Sequence, residues 1–322
     1  AGKCIAIRAD MDALPIKEET GLPFASQNGC MHACGHDGHV AGLLGAAMIL
    51  NELKDNLHGN VKLVFQPAEE RDGGALPMIE EGVLENPKVD AAFAAHLWGY
   101  LNEGEVHLKE GPMMASPDIF NIKVIGKGGH GAVPQESIDP IVITCQIVNS
   151  LQTIVSRKIN PLDPVVITCG RIQGGDCHNV IPNEVELEGT IRTFNEETRN
   201  WVPKVMEDLI RGITTSQGAA YEFKYEPKYP ALINDKYMTS FAKESLKKVV
   251  GEENVFDLKE PNMGGEDFAF FAQKVPSAFI FVGIANNKSE PVIHHNPYFK
   301  WDSKNVGILA QSLSQIAIDY LK

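Results

Sequence analysis

Three things the chain lacks narrow its class at once. It has no long hydrophobic run: the longest, over residues 40–50, is broken by glycines and falls well short of the ~20 apolar residues a membrane span needs. It has no basic block. Lys and Arg number 29 against 42 Asp and Glu, for a net charge of −13, so nucleic acid and anionic membrane are excluded as natural partners. Its six cysteines show no framework spacing. In a chain this large they read as reduced thiols in a cytoplasmic setting. The opening Ala1-Gly2-Lys3-Cys4 has neither an initiator Met nor a signal-peptide pattern. The sequence is therefore expected to begin inside a domain, just ahead of a strand.

What is present fits a globular protein, with 43% hydrophobic and 22% charged residues. At 322 residues the chain exceeds one comfortable hydrophobic core, so two domains are expected. Strands are predicted over residues 4–9, 61–65, 89–95 and 278–282. A helix rich in small residues is predicted over 38–54, with Asp37 as its cap. Alternating strands and helices imply an α/β layer. The middle reads differently: strand 119–127, helix 138–158 opening at Asp139-Pro140, strands 165–171 and 185–193, helix 196–213 and strand 221–225. That β-α-β-β-α-β order is the split ferredoxin-like unit. After Pro230 the α/β pattern resumes, with helices over 236–250 and 304–321. The expectation is a catalytic α/β domain (1–116 and 230–322) with a ferredoxin-like α+β domain (117–229) inserted.

The densest chemistry lies in Cys30-Met31-His32-Ala33-Cys34-Gly35-His36-Asp37-Gly38-His39, where two thiols, three imidazoles and a carboxylate share ten residues. One His in a loop is ordinarily a surface residue. Three, with Cys34 two positions before His36, favour ligation of a zinc-like ion. Gln66-Pro67-Ala68-Glu69-Glu70 follows a predicted strand directly. An isolated Glu-Glu pair is ordinarily a solvated turn, but open α/β sheets place their sites at the carboxyl ends of strands. Two adjacent carboxylates there can divide roles, one binding metal and one moving protons. His96 follows the strand 89–95, Asp10 and Asp12 follow 4–9, and His294 and His295 lie in the loop after 278–282. Each alone reads as a loop residue; one metal-binding site at the sheet edge accounts for them together.

The inserted segment carries Gly126-Lys127-Gly128-Gly129-His130-Gly131, which is either a tight turn with an incidental His or an imidazole presented to a site elsewhere. Asp176-Cys177-His178-Asn179 joins two strands and is polar. Gly264-Gly265-Glu266-Asp267 by itself signals little beyond helix capping.

With these residues named, the chain resembles the aminoacylase-type amidohydrolases: hippurate hydrolase, indole-acetyl-amino-acid hydrolase and N-acetyl-diaminopimelate deacetylase. The wider family includes acetylornithine deacetylase and the glutamate carboxypeptidases. Matching segments run from Arg8-Ala9-Asp10-Met11-Asp12-Ala13-Leu14-Pro15 to His295-Asn296-Pro297, through the Cys30–His39 motif, the Gln66–Glu70 motif and Gly128-Gly129-His130-Gly131-Ala132-Val133-Pro134. As an ordered set these are highly specific.

The resemblance implies a centre of two divalent ions held by Cys34, His36, Glu70, His96 and His295, with Glu69 as general base and Asp12 orienting a His ligand. Cys34 stands where many relatives have a bridging Asp, and Asp10 where many have a His. The softness of Cys34 favours zinc; the imidazoles and carboxylates also suit manganese, cobalt or nickel. The resemblance further implies that the inserted domain is a lid that mediates homodimerisation. His130 would reach the partner's site, and Asn179 and Arg192 would lie near the substrate's polar end. The implied reaction is hydrolysis of the amide bond of small N-acyl amino acids. The alternatives are a metallo-carboxypeptidase or dipeptidase of the same family, a hydrolase using Cys34 as nucleophile, and a metal-binding protein without activity. The resembling proteins carry several dozen residues before the position of Asp10, adding a helix and a strand. Nine precede it here, so the catalytic domain is expected to lack that N-terminal part.

Overall fold

The computed structural model describes residues 2–287 and 289–322. In chain order it forms β1 (Lys3–Asp10), α1 (His36–Glu52), β2 (Gly59–Gln66), α2 (Ala75–Glu80), β3 (Ala91–Asn102), β4 (Val106–Leu108) and β5 (Gly111–Met114). Next come β6 (Ser116–Ile125), β7 (Gly129–His130), α3 (Pro140–Thr153), β8 (Val166–Gln173), β9 (Val180–Ile181), β10 (Glu184–Thr193), α4 (Glu196–Ser216) and β11 (Ala220–Glu226). β12 (Leu232–Asn234), α5 (Lys236–Val250), β13 (Val255–Asp257), α6 (Ala269–Ala272), β14 (Ser277–Ala285) and α7 (Asn305–Tyr320) follow. The chain divides into two compact units. One comprises the chain through Met113 together with Leu232–Asn262 and Glu266–Lys322; the other comprises Met114–Ala231 and Met263–Gly265.

The first unit is built on a mixed six-stranded sheet of order β13-β4-β14-β3-β1-β2. β1 runs parallel to β2 and β3, and β14 parallel to β3, while β4 is antiparallel to β14. Strands covered on both faces read as unbroken apolar runs rather than alternating ones. β14, Ser-Ala-Phe-Ile-Phe-Val-Gly-Ile-Ala, is buried at every position. Ile5, Ile7, Phe93, Leu97, Ile280 and Val282 form the core with Leu309 and Leu313 of α7. The small residues of α1 let it approach α7 closely: a Cβ on Gly42 would stand 2.5 Å from Cδ2 of Leu309.

The start of α1 differs from expectation. Asp37 does not cap it. Gly35, at φ 89°, occupies the capping position, and His36 is the first helical residue. A left-handed residue there suits glycine, which has no Cβ to clash. Asp37 falls inside the first turn, where its Oδ1 accepts the Gly38 N–H at 2.9 Å and its charge complements the helix dipole.

The second unit runs β6-α3-β8-β10-α4-β11 and pairs as an antiparallel sheet of order β11-β6-β10-β8. β6 alternates buried with half-exposed residues, as a strand with one covered face must. Ile143, Ile147 and Leu151 of α3 and Val202, Met206 and Ile210 of α4 recur at helical spacing and pack on Phe120, Ile122, Val124 and Leu187. Asp139 caps α3, accepting N–H bonds from Ile141 and Val142 with Pro140 at the first position. The helix ends at Thr153, and Ile154–Lys158 winds as a π-turn rather than continuing as α. No helix among the described residues is long and apolar enough to cross a membrane.

Candidate metal centre

The site begins where one strand outruns its neighbour. β1 pairs with β3 only as far as Arg8 opposite Ala94, while β3 continues beside β14 to Asn102. His96 therefore lies within a strand, not after one as the sequence pattern implied. Ala92 donates its N–H toward the β14 side, to Pro276 O at 3.1 Å. Alternation turns the N–H groups of Leu97 and Gly99 to the other edge, where β1 has ended. Buried backbone donors need partners, and two imidazoles supply them. Leu97 N–H bonds Nε2 of His39 at 2.9 Å, and Gly99 N–H bonds Nε2 of His294 at 3.0 Å.

A second turn presents the carboxylates. After β2, Ala68 adopts φ 60°, a conformation that costs a non-glycine residue of order 1 kcal/mol or more. Asp12 holds the turn: its two carboxylate oxygens accept the N–H groups of Glu69 (3.1 Å) and Glu70 (3.0 Å). Asp12 also faces Nδ1 of His36, through its carbonyl at 3.1 Å and its Oδ1 at 3.3 Å. One acid thus positions a His and both glutamates. The third turn is at His295, φ 56°, whose N–H is anchored to Ala33 O at 2.8 Å.

These turns converge. Ligand atoms of Cys34, His36 and His96 lie within 4.8 Å of one another, and so do those of Cys34, Glu70 and His295. The two triplets share Cys34 alone. In His96, Nδ1–H is committed to Leu97 O at 2.7 Å, which leaves Nε2 unprotonated, an acceptor 3.4 Å from the Cys34 sulfur. His295 Nε2 stands 3.1 Å from Glu70 Oε1. His36 Nε2 and Glu70 Oε1 are buried without a hydrogen bond of good geometry. Buried polar atoms are rarely left so. Two buried atoms of ligand type, facing one another at 3.8 Å without a well-directed bond, fit a divalent cation, and the sulfur, nitrogen and oxygen donor set suits zinc or its neighbours.

The same arrangement excludes other candidates. His39 accepts at Nε2 and is hydrogen-bonded to Asp10 Oδ1 through Nδ1, so neither nitrogen is available to an ion. His32 is bonded to Asp12 O at 3.1 Å and joins neither triplet. Of the three imidazoles in the Cys30–His39 motif, His36 alone keeps a buried ring nitrogen without a hydrogen bond.

Electrostatics follow from burial. Glu69, 7% exposed, is pushed well above the usual carboxylate range by burial and by the neighbouring Glu266 and Glu70. Burial works against the charged form of His36, but Asp10, Asp12 and Glu70 raise it to about 9. Burial, with Glu70 and Glu69, pushes the Cys34 thiol well above its ordinary value.

Beneath the site lies a network that the sequence reading missed. The buried Arg8 guanidinium bonds Gln66 Oε1 (2.9 Å), Asp10 Oδ2 (2.9 Å), Asp267 Oδ1 (2.8 Å) and Glu266 Oε1 (2.9 Å). Asp267 also accepts from Gln66 Nε2 and from the Ala75 N–H. Glu266-Asp267 is therefore more than a helix-capping turn. It supplies counter-ions to Arg8, and Glu266 stands beside Glu69.

In the second unit, Gly129–His130 pairs with Val180–Ile181, and the Gly131 N–H bonds Asn179 O at 2.9 Å. His130 and Asn179 are thereby neighbours, both exposed. His130 Nδ1 accepts the Ala132 N–H at 3.0 Å, so its neutral ring carries its proton on the outward Nε2. Arg192 is half-buried on β10 opposite Val166 and Pro117. Its neighbour Asp118 is occupied by Arg199, Tyr225 and the Lys228 N–H.

Comparison with known proteins makes the family plain. Residues 6–317 match Peptidase family M20/M25/M40, and the chain belongs to that family. It is 44% identical over 322 residues to the N-acetylcysteine deacetylase of Bacillus subtilis (strain 168), covering 100% of this chain and 82% of that protein. It is 51% identical over 235 residues to the N-acyl-L-amino acid amidohydrolase of Geobacillus stearothermophilus, covering 72% of this chain and 63% of that one. A solved Bacillus subtilis structure described as a dinuclear metal binding peptidase from the M20 family aligns with a TM-score of 0.82 at 39% identity, over 99% of this chain and 82% of that chain.

Proposed function

We propose that the protein is a metal-dependent amidohydrolase that cleaves N-acyl amino acids at the amide bond. The observation that carries this is the pair of ligand triplets meeting at Cys34 with Glu69 buried beside them. Cys34, His36 and His96 would hold one divalent ion, and Cys34, Glu70 and His295 a second. The relatives named above support the reaction class.

Bound ions supply positive charge that acidifies water and polarises a carbonyl. The protein's groups do the rest. Glu69, whose burial raises its proton affinity, takes the proton of the attacking water and returns it to the leaving nitrogen. Asp12 fixes the backbone of both glutamates, so the base and the ligand keep separate aims. His130 offers its Nε2–H to the carbonyl oxygen as charge develops there, across a homodimer in which the second unit serves as lid. Asn179 and Arg192 receive the substrate's polar end; the planar fork of Arg192 suits a free carboxylate. The six unpaired cysteines support placement in the cytoplasm.

Cys34 as nucleophile is the poorer reading. A reactive thiol needs an electropositive setting that favours its thiolate, whereas burial, Glu70 and Glu69 all favour the protonated form here. The test is turnover of N-acetyl, N-succinyl and N-benzoyl amino acids and of dipeptides, before and after chelation. Loss with chelator and recovery on adding zinc, manganese, cobalt or nickel supports the reading. Activity that resists chelation but is lost to iodoacetamide overturns it in favour of the thiol.

A further inference from the structure

His294 and His295 are indistinguishable as sequence, yet the fold wires them differently. His295 turns its Nε2 to Glu70. His294 accepts the Gly99 N–H on Nε2 at 3.0 Å. A ring nitrogen that accepts a hydrogen bond carries no proton, so the neutral ring carries its proton on Nδ1. That nitrogen lies 3.7 Å from the Cys34 sulfur. The ring is confined by aromatic neighbours: its centroid is 5.1 Å from that of Trp98, 6.3 Å from that of Tyr100 and 4.9 Å from that of Phe299. The tautomer is thus set by a backbone donor that is free only because β3 outruns β1.

We propose that His294 is a positioning residue for the metal centre, its Nδ1–H a fixed hydrogen-bond donor to the Cys34 sulfur. This rests on the assignment of Cys34 as a shared ligand. As a ligand shared by two ions, the Cys34 thiolate would keep one lone pair. A donor aimed at it orients the sulfur and lowers its electron-donating strength, as partners outside the ligand set do at other metal sites. The same wiring bars His294 from ligation, since one nitrogen accepts from Gly99 and the other holds the proton. It leaves the adjacent His295 as the ligand.

The test is the thiolate-to-cobalt charge-transfer absorption of Co(II)-loaded protein. Wild type, Cys34→Ser, His294→Phe and His294→Asn are compared. Phe keeps a ring in the aromatic surround without a donor; Asn places an amide N–H close to the position of Nδ1. The wild type should show the band and Cys34→Ser should lack it. In His294→Phe the band should move to longer wavelength, with cobalt affinity weakened about 10–100-fold, and in His294→Asn it should return toward the wild-type position. His294→Leu serves the same purpose if the Phe variant does not fold. A band unmoved in the donor-free variants, or moved equally in His294→Asn, overturns the proposal while leaving Cys34 a ligand. A wild type with metal bound but no thiolate band overturns the ligand assignment of Cys34, and the proposal with it.

Discussion

Nε2 of His36 and Oε1 of Glu70 face each other across 3.8 Å, both buried and neither with a well-directed hydrogen bond. Without an ion, the protein meets this juxtaposition with a proton: the surrounding acids raise His36 to about 9, and Cys34 stays a thiol at neutral pH because burial, Glu70 and Glu69 raise it well above its ordinary value. A cation must displace both protons, because ligands bind deprotonated. Metal binding at pH 7 should therefore release at least these two protons, and affinity should rise with pH through about 9, where His36 gives up its own, and go on rising above it because Cys34 still holds its proton there. Calorimetry in buffers of different ionisation enthalpy measures the count. A value near zero would show that the ion binds elsewhere.

The neighbouring glutamates should separate by readout. Glu69→Gln is expected to keep its metal and lose about 10²–10⁴-fold in kcat, the usual contribution of a positioned base. Glu70→Gln is expected to lose metal first. Elemental analysis beside kinetics decides the matter, and equal metal loss in both variants contradicts the assignment.

Arg8 is the cation that Asp10, Glu266 and Asp267 share. Breaking a buried pair by removing one partner typically costs about 3–5 kcal/mol, because the charges left behind are uncompensated. Arg8→Met should lower the urea midpoint accordingly, whether or not metal is present. A change below about 1 kcal/mol would mean that the carboxylates find protons or water instead.

How much of this was visible beforehand depends on the reach of each contact. Cys34, His36, Glu69 and Glu70 announce themselves because the chemistry is written within a few adjacent residues. Most strands and helices were legible for the same reason, from apolar runs and periodicity. The capping of Leu97 and Gly99 by His39 and His294 was not, since it depends on where β1 stops relative to β3. Nor was the pairing of Arg8 with Asp267, 259 positions apart, which made a buried counter-ion look like a helix cap. Asp37 was misread because propensity favours Asp at a cap, whereas the left-handed turn at Gly35 moved the helix start ahead of it.

His130 should act through Nε2. His130→Ala is expected to leave metal content unchanged and to lower kcat about 10²–10³-fold, the effect of losing one oxyanion donor. If it reaches the partner's site, mixed dimers of His130→Ala and Glu69→Gln protomers regain one intact site each. Proven heterodimers without recovered activity would place the whole site within one chain.

The substrate's carboxylate should be read by Arg192. No hydrogen bond or ion pair engages its side chain among the described residues, and the nearby Asp118 is already shared by Arg199 and Tyr225. Burial lowers its proton affinity somewhat, with Asp118 opposing, but a guanidinium stays charged. A half-buried cation without a partner is costly, and an anionic ligand would offset that cost. The net charge of −13 repels anions at long range, which makes a local cation the more necessary. The wild type should therefore prefer an N-acetyl amino acid to its C-terminal amide. Arg192→Ala should erase that preference, chiefly through KM. Arg192→Lys should restore little of it, since a point charge cannot make two parallel hydrogen bonds. Equal cleavage of acid and amide by the wild type would show that carboxylate recognition is no part of the site and would widen the substrate class to simple amides.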